Sequence, residues 1–542
     1  MSSAFATKLG TNYCPNVEEA AELKALLVEP VLRLKRLDDE IVEMQRAIDK
    51  LTEERNHVAA YISAHRALLS PVRTLPLDII QEIFGACLPT DRNCVMSASE
   101  APVLLGRICS SWRAISLSTP SLWANIHIAE TTSPLMTHIP SVIFQKKMAQ
   151  RIEIIKTWLS RSGHCPLSIS LAGSTSEWTM VPFMEAILSF AHRWQHIRLA
   201  VSEVALEVLG RLTPTDVPIL RGLWLNNVRF PFDWSRLEIL RAAHISRLGL
   251  WGPGIKPEAL SLRWDQLTEL DIRDTSWQLH LTNEVILKII SKCSRLRCCK
   301  LMFTHRGWEH IDVAGPTIEI TSLRTFSLHT NREALGIIAV LGRLALPNLR
   351  HFSFSGFVKC LQAVQAVEQE DQTLCRFLNT TTQLETFSMR SEPFSKSFLL
   401  QTLHSLPPTL RHLEIMVDIE RVYGGGIPTE TPISPFDDDC LRALNADPTR
   451  PYLFPKLQTL YITCCPRISD EAILEFIPAR MALEECSLKL VHFGVERHAE
   501  VDISRLRPFV DAGLDLSVAY LQPISFSPWL GLPAAPGVLD TE

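Results

Sequence analysis

At 542 residues, with 46% hydrophobic and 21% charged residues, the chain is too long for a single compact core and too apolar for a disordered protein. A net charge of −5 leaves no global electrostatic footprint for nucleic acid, and no apolar run approaches the ~20 residues of a membrane helix. Fourteen cysteines are scattered without a Cys-x-x-Cys pair, which reads as free thiols of a reducing compartment, so the expected location is cytoplasmic or nuclear.

Met1 to Cys14 show no basic stretch followed by an apolar run, so no secretory signal is expected there, and residues 1–29 are expected to be a disordered or short helical start. From residue 34 the apolar positions step by three and four through Leu34, Leu37, Ile41, Met44, Ile48, Leu51, Val58, Ile62 and Leu69. Arg55 and His65 fall on the same seam. Such a repeat predicts a coiled-coil helix over 30–69, with Pro30 marking its start. Two readings stand for its stripe: pairing with a second copy through residues 34–69, or folding along its own chain.

The next segment, 70–126, holds the pattern on which the rest is organised. Pro76 suits the first turn of a helix and Asp78 the positive end of its dipole, so a helix is predicted to begin there. Ile79, Ile80, Ile83, Phe84, Cys87 and Leu88 give that helix a stripe too wide for one neighbour. A second piece opens at Ala101-Pro102 and carries Val103, Leu104, Ile108, Cys109, Trp112 and Ile115, with Gly106 and the serines allowing a break between two short helices. A unit of about fifty residues has a very small core and gains stability by contact with another molecule.

The ordered set Leu-Pro-x-Asp-Ile-Ile-x-x-Ile-Phe, Ile-Cys-x-x-Trp-Arg and Ser-Thr-Pro-Ser-Leu-Trp resembles the F-box, in particular the F-box family of mushroom-forming fungi. The connector from Pro89 to Ser99 is longer than that pattern, which leaves the orientation of the second helix open. The resemblance implies docking on the small Skp-type adaptor of a cullin-RING ubiquitin ligase. Carried over residue by residue, it places Leu75, Pro76, Ile79, Ile83, Phe84, Leu104, Ile108, Cys109 and Trp112 on the adaptor face.

Residues 127–522 carry ten copies of a Leu-x-x-Leu-x-Leu pattern, from Leu220-x-x-Leu223-x-Leu225 to Leu483-x-x-Cys486-x-Leu488. Degenerate copies at Ile169/Leu171, Ile197/Leu199 and Leu514/Leu516 extend them to about thirteen. Their spacing predicts an α/β fold, a leucine-rich-repeat solenoid in which each copy is a short parallel strand and a helix or turn returns the chain outside. Return helices are expected at 283–292 and 470–477.

Residues between the inward leucines form rows on the concave face, where Trp224, Trp251, Asp271, Arg273, Lys300 and His329 are the candidate substrate-binding residues. Exposed Trp and Arg are frequent binding hot spots, although tryptophans that merely cover small neighbours such as Gly249 read the same way. The interval 417–454, with Tyr423-Gly424-Gly425-Gly426 and several prolines, reads as an inserted surface loop, either a lid or a tolerated insertion. Residues 523–542 form a proline-containing tail.

Nothing in the chain matches a metal, nucleophile or phosphate-loop motif; His192 and His196, four apart on a predicted helix, lack a third ligand. No cofactor or catalytic residue is therefore expected, and catalysis would come from ligase partners. The expected function is a non-catalytic substrate receptor of an SCF-type ubiquitin ligase whose concave face holds a protein, with no nucleic acid or membrane partner. The alternative is a binding scaffold uncoupled from ubiquitination.

Overall fold

The computed structural model describes residues 4–129, 142–173, 177–227, 232–275, 282–303, 315–333, 340–357, 364–390, 395–416, 436–445, 453–463, 465, 467–483, 487–495 and 503–520. They fall into two compact units, Met1–Ile83 and Phe84–Glu542.

The first unit is dominated by helix α1, Val17–Leu68, of 52 residues and so ~78 Å long at 1.5 Å per residue. Its start corrects the expectation that Pro30 opens the helix, because Pro30 lies inside it. Asn16 is the cap: Glu19 N donates to Asn16 Oδ1 (2.8 Å) and Asn16 N donates to the Glu19 carboxylate (3.0 Å). The Glu19 carboxylate also accepts from Tyr13 Oη and Lys8 Nζ. Held first by the Asn16 N–H and then by these two groups, its pKa falls to about 2. A reciprocal cap sets the start, whereas the proline removes a single rung from the ladder. A 3-10 turn at Pro71–Thr74 leads into α2, Leu77–Ala86, which closes this unit and opens the next.

In the second unit, α3 (Leu105–Ile108) and α4 (Ser110–Leu117) are separated at Cys109, whose backbone is extended (φ −155°, ψ 170°). The break therefore falls three residues beyond Gly106. The long connector before them has a structural role. Val95 bridges His127, whose N–H donates to the Cys94 carbonyl (2.6 Å), while Asn93 exchanges hydrogen bonds with Ser168 and Ser170 (2.9 and 3.1 Å). Trp123, in the 3-10 turn Pro120–Trp123, donates from Nε1 to the Ser116 carbonyl (2.8 Å) and packs edge-on against Trp158 at 4.8 Å. These contacts join α4 to the helix that carries Trp158, and the connector to the two strands on either side of that helix.

From Asn125 onward the chain builds one parallel sheet, with fourteen strands among the described residues, ordered along it as they occur in the chain. They are β1 (Asn125–Ala129), β2 (Leu167–Ala172), β3 (Trp194–Ala200), β4 (Gly222–Asn226), β5 (Arg247–Gly252), β6 (Glu269–Asp274) and β7 (Cys298–Phe303). A small pair, β8 (Ile318–Glu319) and β10 (Leu344–Ala345), stands apart from β9 (Thr325–Glu333) and β11 (His351–Phe357). The series ends with β12 (Thr386–Arg390), β13 (His412–Met416), β14 (Thr459–Ile462), β15 (Leu490–Val495) and β16 (Asp515–Tyr520).

Each strand pairs with its successor because alternate residues point to one side, and that side is apolar in every copy. Leu223, Leu248, Leu270, Cys299, Phe326, Phe352, Phe387, Leu413, Leu460 and Val491 form one continuous buried row. Helices return the chain between many strands, including α5 (Val142–Arg161), α6 (Glu177–Leu188), α7 (Glu203–Leu209), α8 (Asn283–Lys292), Val364–Thr380, Lys396–Ser405 and Asp470–Met481. Between β4 and β6 the returns are 3-10 turns only, which accounts for the short repeat spacing there.

Two copies are displaced from the positions expected of them, and one strand is added. The one expected at Leu483-x-x-Cys486-x-Leu488 is Leu488-x-x-Val491-x-Phe493: Val491 and Phe493 are fully buried and in register with Leu460 and Ile462. At the end the inward pair is Leu516/Val518, opposite Val491 and Phe493, rather than Leu514/Leu516. At the start, Ile126 and Ile128 form an additional strand that begins inside the segment assigned to the helical box.

Within the interval 417–454, a capped helix at Asp438–Ala443 interrupts the expected loop, and residues 417–435 and 446–452 lie outside the described residues. The tail 523–542 lies outside them too.

Candidate functional site

The intervening residues of β3 to β7 make a site because register places them side by side. Arg198, Trp224, Gly249, Asp271 and Lys300 form one row, and Asn226, Trp251, Arg273 and Met302 the next. Trp224 is half-buried and lies flat across its neighbours. A Cβ on Gly249 would stand 2.2 Å from its Cδ1, and one on Gly222 would stand 2.6 Å from its Cζ3. The ring therefore does cover small residues, as one of the two sequence readings has it, and it also presents a face to a charge: the Arg198 guanidinium lies 5.2 Å from the ring centroid.

Trp251 repeats the arrangement one strand on. Arg273 stacks over it at 4.1 Å and is forked onto Asp271, Nε donating to Oδ1 (2.9 Å) and Nη2 to Oδ2 (3.0 Å). A guanidinium held both by a bidentate carboxylate and by an indole face keeps a fixed orientation. The Trp251 Nε1 donor is buried and has no acceptor among the described residues.

These side chains line a recess of about 440 Å³ that takes in Arg198, Trp224, Trp251, Asp271, Arg273 and Lys300. Arg247 neutralises Glu269 (3.3 Å) beside it. Arg198 and Lys300 have no ion-pair partner among the described residues, so the recess carries two uncompensated positive charges on an aromatic floor. His329 is half-buried and hydrogen-bonded to Ser355 Oγ at 2.7 Å, and it does not line this recess.

Sequence reasoning misses Arg198 because it takes only the inward pair Ile197/Leu199 from that copy, although the residue between them has to face the other side of the sheet, beside Trp224. A neighbouring recess of about 540 Å³ is lined by Arg92, Asn93, His127, Ser170, His196 and Arg198. There burial lowers the pKa of His127 and His196, with help from Arg92 and from Arg247 and Arg221 respectively. His196 is on β3 and His192 in the 3-10 turn before it, so the predicted helical pair does not exist. No cluster of three potential metal ligands occurs among the described residues.

The residues assigned to an adaptor divide between the units. In the first, Ile79 and Ile83 are 43% and 40% exposed, Pro76 is exposed and Leu75 is half-buried; Leu77, at 55%, is a further exposed apolar residue. In the second, Leu104 and Ile108 are 41% and 56% exposed, Cys109 is exposed and Trp112 is half-buried. Cys109 Sγ caps α4 by accepting from Trp112 N at 3.4 Å.

Phe84 departs from the set: it is fully buried, its ring 4.9 Å from that of Trp112. The reason is helical phase. Ile80 and Phe84, four apart, form the buried edge of α2, and Ile79 and Ile83 form the exposed one.

No protein-family model and no curated protein matches the chain. Among solved structures it is similar to the yeast Rad7 and Elc1 complex, at 14% identity over 85% of this chain and 96% of that one, with a TM-score of 0.34. It is also similar to a Bacteroides fragilis protein (9% identity, 72% and 86% covered, TM-score 0.27) and to the TLR13–ssRNA13 complex (13%, 63% and 51%, 0.28).

Proposed function

We propose that the chain is a non-catalytic substrate receptor of an SCF-type ubiquitin ligase. In this reading the box from residue 70 docks on a Skp-type adaptor, and the parallel stack is a leucine-rich-repeat solenoid whose concave face holds a protein substrate. The observation that carries it is the exposure of Ile79 and Ile83 on α2, of Ile108 on α3 and of Leu104 just before α3, where the F-box pattern places its adaptor contacts. The cullin-RING partners supply the chemistry, and this chain contributes proximity.

The recess between β3 and β7 is the substrate site of this reading. Its tryptophans offer flat apolar anchors, and Arg198 and Lys300 favour a segment carrying carboxylates or other anionic groups. The test is co-purification of the full chain with a Skp-type adaptor, with Leu75→Ala plus Pro76→Ala as control. Adaptor recovered with the wild type and reduced with the variant supports the reading; a folded wild type that recovers none refutes it.

A further inference from the structure

The apolar seam of α1 has no partner among the described residues. Leu34, Ile41, Ile48 and Leu51 are 60%, 57%, 55% and 64% exposed, as are most other seam residues to a similar degree. Because the helix starts at Val17 and runs through Pro30, the three-four spacing also takes in Ala20, Leu23 and Leu27, so the seam spans seven heptads from Ala20 to Leu69. A repeat of 3.5 residues sustained over that length is the pattern of a two-stranded supercoil.

We infer that α1 pairs with a second copy of itself in parallel and in register. The length of the seam sets the direction, because only in parallel register does every seam position from Ala20 to Leu69 meet a counterpart, and the flanking charges agree with it. In the parallel register each residue before an a position faces the residue five further on in the other helix. That sets Glu19 against Lys24 and Arg33 against Asp38 of the second copy; the remaining such positions, Leu26/Val31, Glu40/Gln45, Ala47/Thr52, Glu54/Ala59 and Tyr61/Arg66, contain no like-charge pair.

An antiparallel pairing of residues 23–69 sets Lys24 against Arg66 and Glu40 against Glu54, two repulsive pairs each made twice by symmetry; shifted by one heptad it sets Arg33 against Glu54 with no like-charge pair but leaves Leu69 without a counterpart. Glu19 is already held by Lys8 and Tyr13, so the Arg33–Asp38 pair carries the charge attraction of the parallel register. Neither Arg33 nor Asp38 has an ion-pair partner among the described residues, and both are exposed. Arg55, the one fully charged seam residue, meets its own counterpart in the parallel register, a like-charge layer that Glu54 at the flanking position of the other helix offsets. This inference rests on α1 alone and stands or falls separately from adaptor binding.

The experiment is sedimentation equilibrium of the full chain, comparing the wild type with a single and a double variant. Wild type is expected at twice the 61.1 kDa chain mass. Asp38→Arg turns two attractive pairs into repulsive ones and is expected to weaken the dimer on the order of tenfold, and Arg33→Asp combined with Asp38→Arg to restore it. Direction is read separately from Met44→Cys, which in parallel register meets its own counterpart. Mild oxidation should then give a 44–44 disulfide identified by peptide mapping. A wild type that stays monomeric at tens of micromolar, a double variant no tighter than Asp38→Arg, or a dimer without the 44–44 link would each overturn the inference.

Discussion

Replacing Phe352 by Ala tests whether the stack is built as described. Phe352 is 1% exposed, and its ring centroid lies 6.2 Å from Phe326, 5.9 Å from Phe387, 5.3 Å from Phe377 and 6.4 Å from Phe354. It bridges three successive strands and one return helix. Truncating a buried phenyl to a methyl costs about 3–5 kcal/mol, from lost transfer energy and the cavity left behind. In a sheet where each strand pairs only with the ones on either side of it, that loss stays local.

Hydrogen exchange of the full chain, read peptide by peptide, is the assay. Protection is expected to fall by about that amount in 325–333, 351–357 and 386–390, and to be unchanged in 125–129 and 167–172. A loss under about 1 kcal/mol at those strands, or an equal loss over the whole sheet, would refute the reasoning.

Gly249→Ala forces the Trp224 ring away from a Cβ that would stand 2.2 Å from it, at a cost of about 1–3 kcal/mol; adding Trp224→Ala should then cost no more than Trp224→Ala alone, a non-additivity measurable by urea unfolding. Burial lowers the folded-state pKa of His127, His196, His412 and His492 below the ordinary 6.5. As pH falls through 6.5 the unfolded chain binds protons that the folded chain resists, so the urea midpoint should be level above pH 7 and drop toward pH 5. Burial also pushes the Cys293 and Cys440 thiols up to about 12, and Cys299 well above its usual value, so iodoacetamide at pH 8 should label the exposed Cys14, Cys87 and Cys109 and spare these three until the chain is unfolded.

Periodicity is the part of the fold that the sequence makes legible. It places the inward residues from Leu220 to Ile462 correctly, because a parallel strand buried on one side admits few alternatives to Leu, Ile, Phe or Met at alternate positions. The same rule misleads at Leu483, where a matching spacing precedes the true copy at Leu488, whose inward residues Val491 and Phe493 lack the leucine signature. Pro30 outweighs Asn16 and Glu19 in a reading of α1 by helix breakers alone, although Asn-x-x-Glu is a capping-box spacing visible in the sequence.

The α2 stripe can be read but not divided. Its width indicates that some residues face outward, although Cys87 and Leu88 lie past the end of α2, and only packing assigns Phe84 inward and Ile83 outward. In the recess, Trp224, Trp251, Asp271, Arg273 and Lys300 are legible from the repeat register, because register alone brings them together. The forked Arg273 and the role of Gly249 as a bed for Trp224 are not, since both depend on side-chain direction across strands.

The central claim is that apolar residues at 75–83 and 104–112 are kept free for an adaptor. Hydrogen exchange of the full chain with and without a purified Skp-type adaptor tests it most directly. Added protection at 75–83 and 104–112, with none at 222–302, is the expected result. A chain that shows no change in either segment at saturating adaptor, while its sheet remains protected, would contradict it.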